Sequence, residues 1–311
     1  MRPALSVIFF TVSSGAGLGV IVWLVLFDSM FGMSHLPQNA IYVLLAMGLG
    51  LTTAGLISST LHLANPKNAW RALSQVRTSW LSREGVLAVS LFPIAFLYAL
   101  LHWLSAPNAL IVATGVLLGA IALGVLYCTG MIYACLKTIP RWHSGLVPIG
   151  YVMLGLYSGL LLALPVFAAF GDVAIGHKAA IVVVALMLAL IVKAIYYLRF
   201  RTPIVSHTIN DALALGKKSI RLLDVGHTHG TFLTDEFCFV LARGHAQLLR
   251  TAAIVLGFVA PFVLLLVATN NVVGLAFAGA LCLFGLLAER WLFFAEAEHV
   301  VRLYHGARVV R

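Results

Sequence analysis

The sequence predicts an all-α fold: a polytopic membrane helical bundle of eight transmembrane helices with both termini cytoplasmic. Three observations carry this. The 311-residue chain is 62% hydrophobic and only 10% charged, with a mean hydropathy of +1.03. A soluble domain of that composition lacks the polar side chains to cover its surface. Apolar runs of roughly 18 residues or more recur along the chain, each long enough to cross a hydrocarbon core with its backbone bonds satisfied internally. Finally, the cations fall almost entirely on alternate connections.

The first run covers 6–27 and follows Met1-Arg2 almost directly. It is too long for a signal-peptide core and no convincing cleavage site follows, so it is expected to be retained. Its SSGAGLG stretch, like GLGLTTAG in the second run (40–63), brings small residues that let helix backbones approach closely. GAGLG has no strand before it and lies inside an apolar run, so it reads as packing and not as a phosphate loop. The third and fourth runs, 85–104 and 109–136, are joined by SAPN; the fifth and sixth are 147–169 and 178–198. Residues 199–249 form the largest polar piece, expected to carry short surface helices. The seventh and eighth runs, 250–269 and 272–293, meet at Asn270-Asn271. One domain, 1–311, accounts for the chain, without internal or inverted repeats.

An arrangement with the amino terminus inside places 18 of the 20 Lys and Arg on one face, with Lys193 late in the sixth run free to snorkel there and Lys178 alone opposite. The positive-inside rule makes that face cytoplasmic. The net charge of +10 is thus one-sided. It attracts anionic lipid or an acidic partner; with no nucleic-acid motif beside it, nucleic acid is not expected. The candidate partner-docking cations are Lys67, Arg71, Arg141, Lys217, Lys218 and Arg221.

Cys128, Cys135, Cys238 and Cys282 form no CxxC pair or iron–sulfur spacing, so no cluster of its own is expected. His62 and His102 fall at opposite faces and no histidine pair shares a depth, so no haem is expected. His227 and His229, with Asp235 and Glu236, read as a solvated loop before they read as a metal site. No carboxylate lies at mid-membrane, which counts against an ion-coupled transporter, although an anion transporter remains a reading of another class.

The stretch STLHLANPKNAWRALSQVRTSWLSREGV, residues 59–86, packs one His, four cations, one carboxylate and two Trp between the second and third runs. Apolar or aromatic residues at 69, 70, 73, 76, 80 and 81 predict a short amphipathic helix in the interface. A quinone needs such a place: an apolar cleft for its tail, and polar groups that hydrogen-bond its ring oxygens and exchange protons. The candidate quinone-binding residues are His62, Trp70, Arg77, Ser79, Trp80, Arg83 and Glu84. His62 suits the ring oxygen because its pKa of about 6.5 lies near working pH. Glu84 suits proton exchange, Arg77 or Arg83 suits developing negative charge, and Trp70 and Trp80 suit the walls. The plainer alternative is that His62 caps a helix carbonyl and Glu84 pairs with Arg83 or Arg77.

HLANPKNAWRALSQVRTSWLSREGV, together with PALSVIFFTVSSGAGLG and ERWLFFAEAEHVVRLYHG, resembles the membrane anchor subunits of dimethyl sulfoxide reductase-type complexes, the DmsC-like family. The resemblance implies two partners, a molybdopterin catalytic subunit and an iron–sulfur electron-transfer subunit, and an anchor without a metal centre that exchanges electrons with ubiquinone or menaquinone. It also implies that the family's quinol-site His and functional Glu correspond to His62 and Glu84. The long segment RLLDVGHTHGTFLTDEFCFVLARGHAQLLR is similar to anchors of cytoplasmic sulfite-oxidising complexes, the SoeC-type branch. That branch implies electrons running from sulfite oxidation to quinone. The alternative is quinol oxidation by a sulfoxide or other sulfur-compound reductase, and a third reading is an anchor whose quinone site a partner mainly forms.

Overall fold

The computed structural model describes residues 4–30, 36–61, 65–170, 175–201, 207–214, 216, 220, 246–268, 271–305 and 309–310. Among the described residues, eight helices are long and apolar enough to cross a membrane, one at each expected run. They are α1 (Leu5–Val25), α2 (Gln38–Thr60), α3 (Trp80–Trp103), α4 (Asn108–Ala134), α5 (Leu146–Ala169), α6 (Ile175–Arg201), α8 (Ala246–Val267) and α9 (Val272–Ala295). Between α6 and α8, one short surface helix, α7 (Ile209–Leu213), is described. Thr208 caps it with a capping box to Asp211, and His207–Thr208 pair antiparallel with Val309–Val310.

Two boundaries differ instructively from the sequence expectation. The third helix starts at Trp80 and not at 85, because Ser79 takes extended geometry and its hydroxyl accepts the Ser82 N–H, a helix N-cap. Ser82, Arg83 and Glu84 are therefore helical. The expected amphipathic segment before it is a 3-10 helix, Pro66–Gln75, and largely exposed. The run AQLLR belongs to the start of α8 and not to a separate surface helix.

α1 lies at the centre of the bundle, packed against α2, α4, α5 and α9. Lipid tails are as apolar as Leu, so association relies on close packing and interhelical hydrogen bonds. Both are present. Ser13 Oγ donates to Leu51 O at 2.7 Å and Trp23 Nε1 to Leu156 O at 2.8 Å. α1 and α5 cross backbone on backbone at Gly19, Gly155 and Gly159.

A π-helical turn, Leu26–Met30, ends α1 and carries Asp28. Asp28 accepts from the Tyr98 hydroxyl and faces His102 Nε2 at 3.0 Å. A second π turn, Val255–Val259, interrupts α8. The Gly257 carbonyl there accepts the Tyr157 hydroxyl at 2.8 Å, the kind of partner a broken i−4 ladder requires.

Alternating helices bring 65–79, 135–145, 207–214 and 296–305 to one end, the basic one. Arg141 to Glu296 (3.2 Å), Val300 N to Thr138 O (3.0 Å) and Tyr304 to Ala212 O (3.2 Å) tie that end together. Lys178 lies at the other end, buried, with Nζ 5.0 Å and 4.9 Å from the Phe27 and Phe167 rings.

Candidate functional site

The connection between α2 and α3 is latched to the start of α3. The Ser82 hydroxyl donates to Ala72 O and accepts from Gln75 N at 3.2 Å. Arg83 folds back over the connection, with Nε on Val76 O at 2.9 Å and Nη2 on Arg77 O at 2.8 Å. The space beside Gly85 is taken by Leu73: a Cβ there would lie 2.8 Å from Leu73 Cδ2. Removing the latch with Ser82→Ala should cost about 1 kcal/mol. Faster tryptic cleavage at Arg71 and Arg77 is expected, and an unchanged cleavage rate would contradict the latch.

With Arg83 turned to these carbonyls, Glu84 points the other way. Its carboxylate is buried against α4, where it meets the Thr129 hydroxyl. Among the described residues no cation pairs with it, so the simple Arg83 or Arg77 ion pair does not occur. Thr129 Oγ1 also lies 2.9 Å from Val125 O. A hydroxyl has one proton and two lone pairs. It donates to an ionised Glu84, or donates to Val125 O and accepts from a protonated Glu84. Both protonation states of the carboxyl thus find a partner without moving a helix, which suits a group that exchanges protons.

Around this pair, Trp80 lies edge-on to Tyr127 at 5.9 Å and under the Arg83 guanidinium at 4.2 Å. Trp80, Arg83 and Glu84 are therefore brought together with Tyr127 and Thr129 of α4. Trp70 is 66% exposed, with the Arg71 guanidinium 5.7 Å from its ring; in this chain alone it is not a wall of the Glu84 site. Arg77 is exposed, and Ser79 acts as the cap of α3. Lys67 and Arg71 are exposed at the basic end, while Arg141 is held by Glu296. His62, Lys217, Lys218 and Arg221 lie outside the described residues, as do His227, His229, Asp235 and Glu236. Among the described residues no group of three or more His, Cys, Asp or Glu could hold a metal ion.

Sequence reasoning missed two features. One is Thr129, a single hydroxyl in an apolar run. The other is a buried ionic cluster: Glu289 lies between Lys193 and Arg290, whose Nε is 2.9 Å away. All three side chains are buried. Lys193, expected to snorkel, instead pairs inside the bundle, because α6 places it opposite Glu289 of α9. Arg290 also lies 4.1 Å over the Tyr151 ring, and Tyr151 stacks on Tyr133 at 5.6 Å. The adjacent opposite charges of Glu289-Arg290 inside an apolar run were the available signal. Glu289→Leu leaves two buried cations uncompensated and should destabilise the protein by about 3–5 kcal/mol. An unchanged melting temperature in detergent would reject this role.

The family model for the DMSO reductase anchor subunit (DmsC) matches residues 1–295. The C subunit of the sulfite dehydrogenase of Allochromatium vinosum is 32% identical, covering 98% of this chain and 99% of the relative. Two Escherichia coli K12 proteins match in part. The YnfH chain of an anaerobic dimethyl sulfoxide reductase is 32% identical over 43% of this chain and 46% of the relative. The C chain of anaerobic dimethyl sulfoxide reductase is 33% identical over 35% of this chain and 38% of the relative.

Proposed function

The chain belongs to the DMSO reductase anchor subunit (DmsC) family, and on that premise we propose that it is the quinone-binding membrane anchor of a cytoplasm-facing iron–sulfur molybdoenzyme. Electrons from sulfite oxidation pass through the iron–sulfur partner to a quinone held at the α2–α3 corner. The observation that carries this reading is the buried Glu84–Thr129 pair at the basic end, where a proton acceptor sits beside the helix that opens on Trp80 and Arg83. The basic end is the cytoplasmic one and docks the partners, with Lys67, Arg71, Lys217, Lys218 and Arg221 offering cations to an acidic face.

In this mechanism His62 hydrogen-bonds one ring oxygen, and Glu84 exchanges the proton with the cytoplasmic side. Trp80 and Tyr127 bound the ring, and Arg83 or Arg77 offsets negative charge as it develops. Trp70 and the exposed apolar residues of 66–75 become part of the site when the iron–sulfur partner covers them. Electrons and protons both use the same face, so turnover moves no net charge across the bilayer.

The sulfite direction rests on the near full-length match to the sulfite dehydrogenase relative. The second reading, quinol oxidation by a sulfur-compound reductase, is favoured by the partial matches to the two dimethyl sulfoxide reductase chains. The purified complex decides between them. Sulfite-dependent reduction of a short-chain quinone is expected; sulfoxide-dependent quinol oxidation without sulfite activity would establish the reverse direction.

A further inference from the structure

At the basic end, α6 packs on α5 and α8 packs on α9. Between these pairs lies a cavity of about 620 Å³, away from the Glu84 corner. One wall is apolar, with Ala194 and Leu198 of α6 facing Ile254 of α8. The other is ionic, with Arg141, Lys193, Arg250, Glu289 and Glu296. Glu296 lies between Arg141 at 3.2 Å and Arg250, and Glu289 lies between Lys193 and Arg290 at 2.9 Å.

The charges of this wall do not cancel. Three cations (Arg141, Lys193, Arg250) meet two carboxylates (Glu289, Glu296), an excess of one positive charge, and Arg290 behind the wall adds to it through Glu289. The Arg141 Nε donor is buried and has no hydrogen-bond partner. A buried donor of that kind calls for an acceptor. The cavity thus asks for a ligand that is anionic with oxygen acceptors at one end and aliphatic at the other. A neutral quinone supplies the aliphatic part and leaves the excess charge standing. Basic pockets between membrane helices suit anionic lipid headgroups, and arginine pairs with phosphate in forked, charge-assisted bonds.

We propose that this seam binds an anionic phospholipid, with its phosphate between Arg141 and Arg250 and an acyl chain along Ala194, Leu198 and Ile254. The lipid joins the α5–α6 pair to the α8–α9 pair and satisfies the Arg141 donor. It is a structural ligand, separate from electron transfer.

The test is native mass spectrometry of the full-length protein in mild detergent, loaded with phosphatidylglycerol or with phosphatidylcholine of the same acyl chains. One phosphatidylglycerol should be retained roughly tenfold better than phosphatidylcholine. Arg250→Gln should abolish that preference. Ala194→Trp, which leaves every ion pair in place and fills the apolar wall, should reduce retention of both lipids at this site. Inorganic phosphate alone should not displace the lipid, because it lacks the acyl contact; displacement by phosphate would overturn the lipid assignment. Equal retention of the two lipids, or no change in both variants, would overturn it as well. So would displacement by a short-chain quinone.

Discussion

His62→Ala and Glu84→Gln should each leave the complex assembled and its activity with a soluble electron acceptor intact, while quinone-coupled turnover falls by about 100-fold or more. A positioned acid or base contributes typically 10²- to 10⁴-fold, and in the proposed site both residues hold groups that gain or lose a proton as the quinone changes state. Glu84→Gln keeps the shape and the contact with the Thr129 hydroxyl, so its loss reports proton exchange and not packing. Glu84→Ala would confuse the two, since it also empties a buried site. Thr129→Val should show a smaller loss in the same assay, because it removes the hydroxyl that meets both states of the carboxyl. Dye-linked activity that falls in parallel would mean the variants disturb assembly, contrary to the site assigned here. Unchanged quinone turnover would remove Glu84 and His62 from the mechanism.

Gly159→Leu should prevent the protein from accumulating as a folded bundle. A Cβ at Gly159 would lie 2.2 Å from Gly19 C and 2.4 Å from Val20 N, and one at Gly19 would lie 1.9 Å from Gly155 O. These are backbone atoms of α1 and α5, so relief requires the helices to separate and not merely a side chain to turn. α1 is the central element, with 72% of its apolar window buried, more than any other span. Separating it from α5 also strains the Trp23 bond to Leu156 O. Enlarging a core residue typically costs about 1–3 kcal/mol, and relief here needs two helices to part, which puts Gly159→Leu above that range. Gly15 is the control. A Cβ there meets nothing within 4 Å, so Gly15→Ala should leave the melting temperature in detergent unchanged or raise it. Equal melting temperatures for Gly159→Leu and Gly15→Ala would refute the crossing.

The eight spans were legible because length and hydropathy are properties of each run by itself. The start of α3 was not. Ser82, Arg83 and Glu84 read as polar connection, yet Ser79 caps a helix that carries them, with Arg83 turned back to the connection and Glu84 turned inward. The type of residue at the corner was visible, but the direction each side chain takes depends on the cap. Thr129 was hidden for a related reason. A lone hydroxyl in an apolar helix ordinarily bonds its own i−4 carbonyl, as Thr129 does with Val125, and its second role exists only because α3 lies beside α4. The Lys193–Glu289–Arg290 cluster required knowing that α6 faces α9. Its charges look like two unrelated span-end groups until the helices are assembled. Trp70 shows the opposite case: its place on the amphipathic connection was readable, and in this chain its ring is exposed.

The deciding measurement is photolabelling of the assembled complex with an azido-quinone, followed by peptide mapping of the label. Modification is expected within 62–84 and on the facing part of α4 between Tyr127 and Thr129, abolished by excess unlabelled quinone. Competable label confined to other helices of this protein, or carried only by a partner subunit, would place the quinone elsewhere and refute the α2–α3 site.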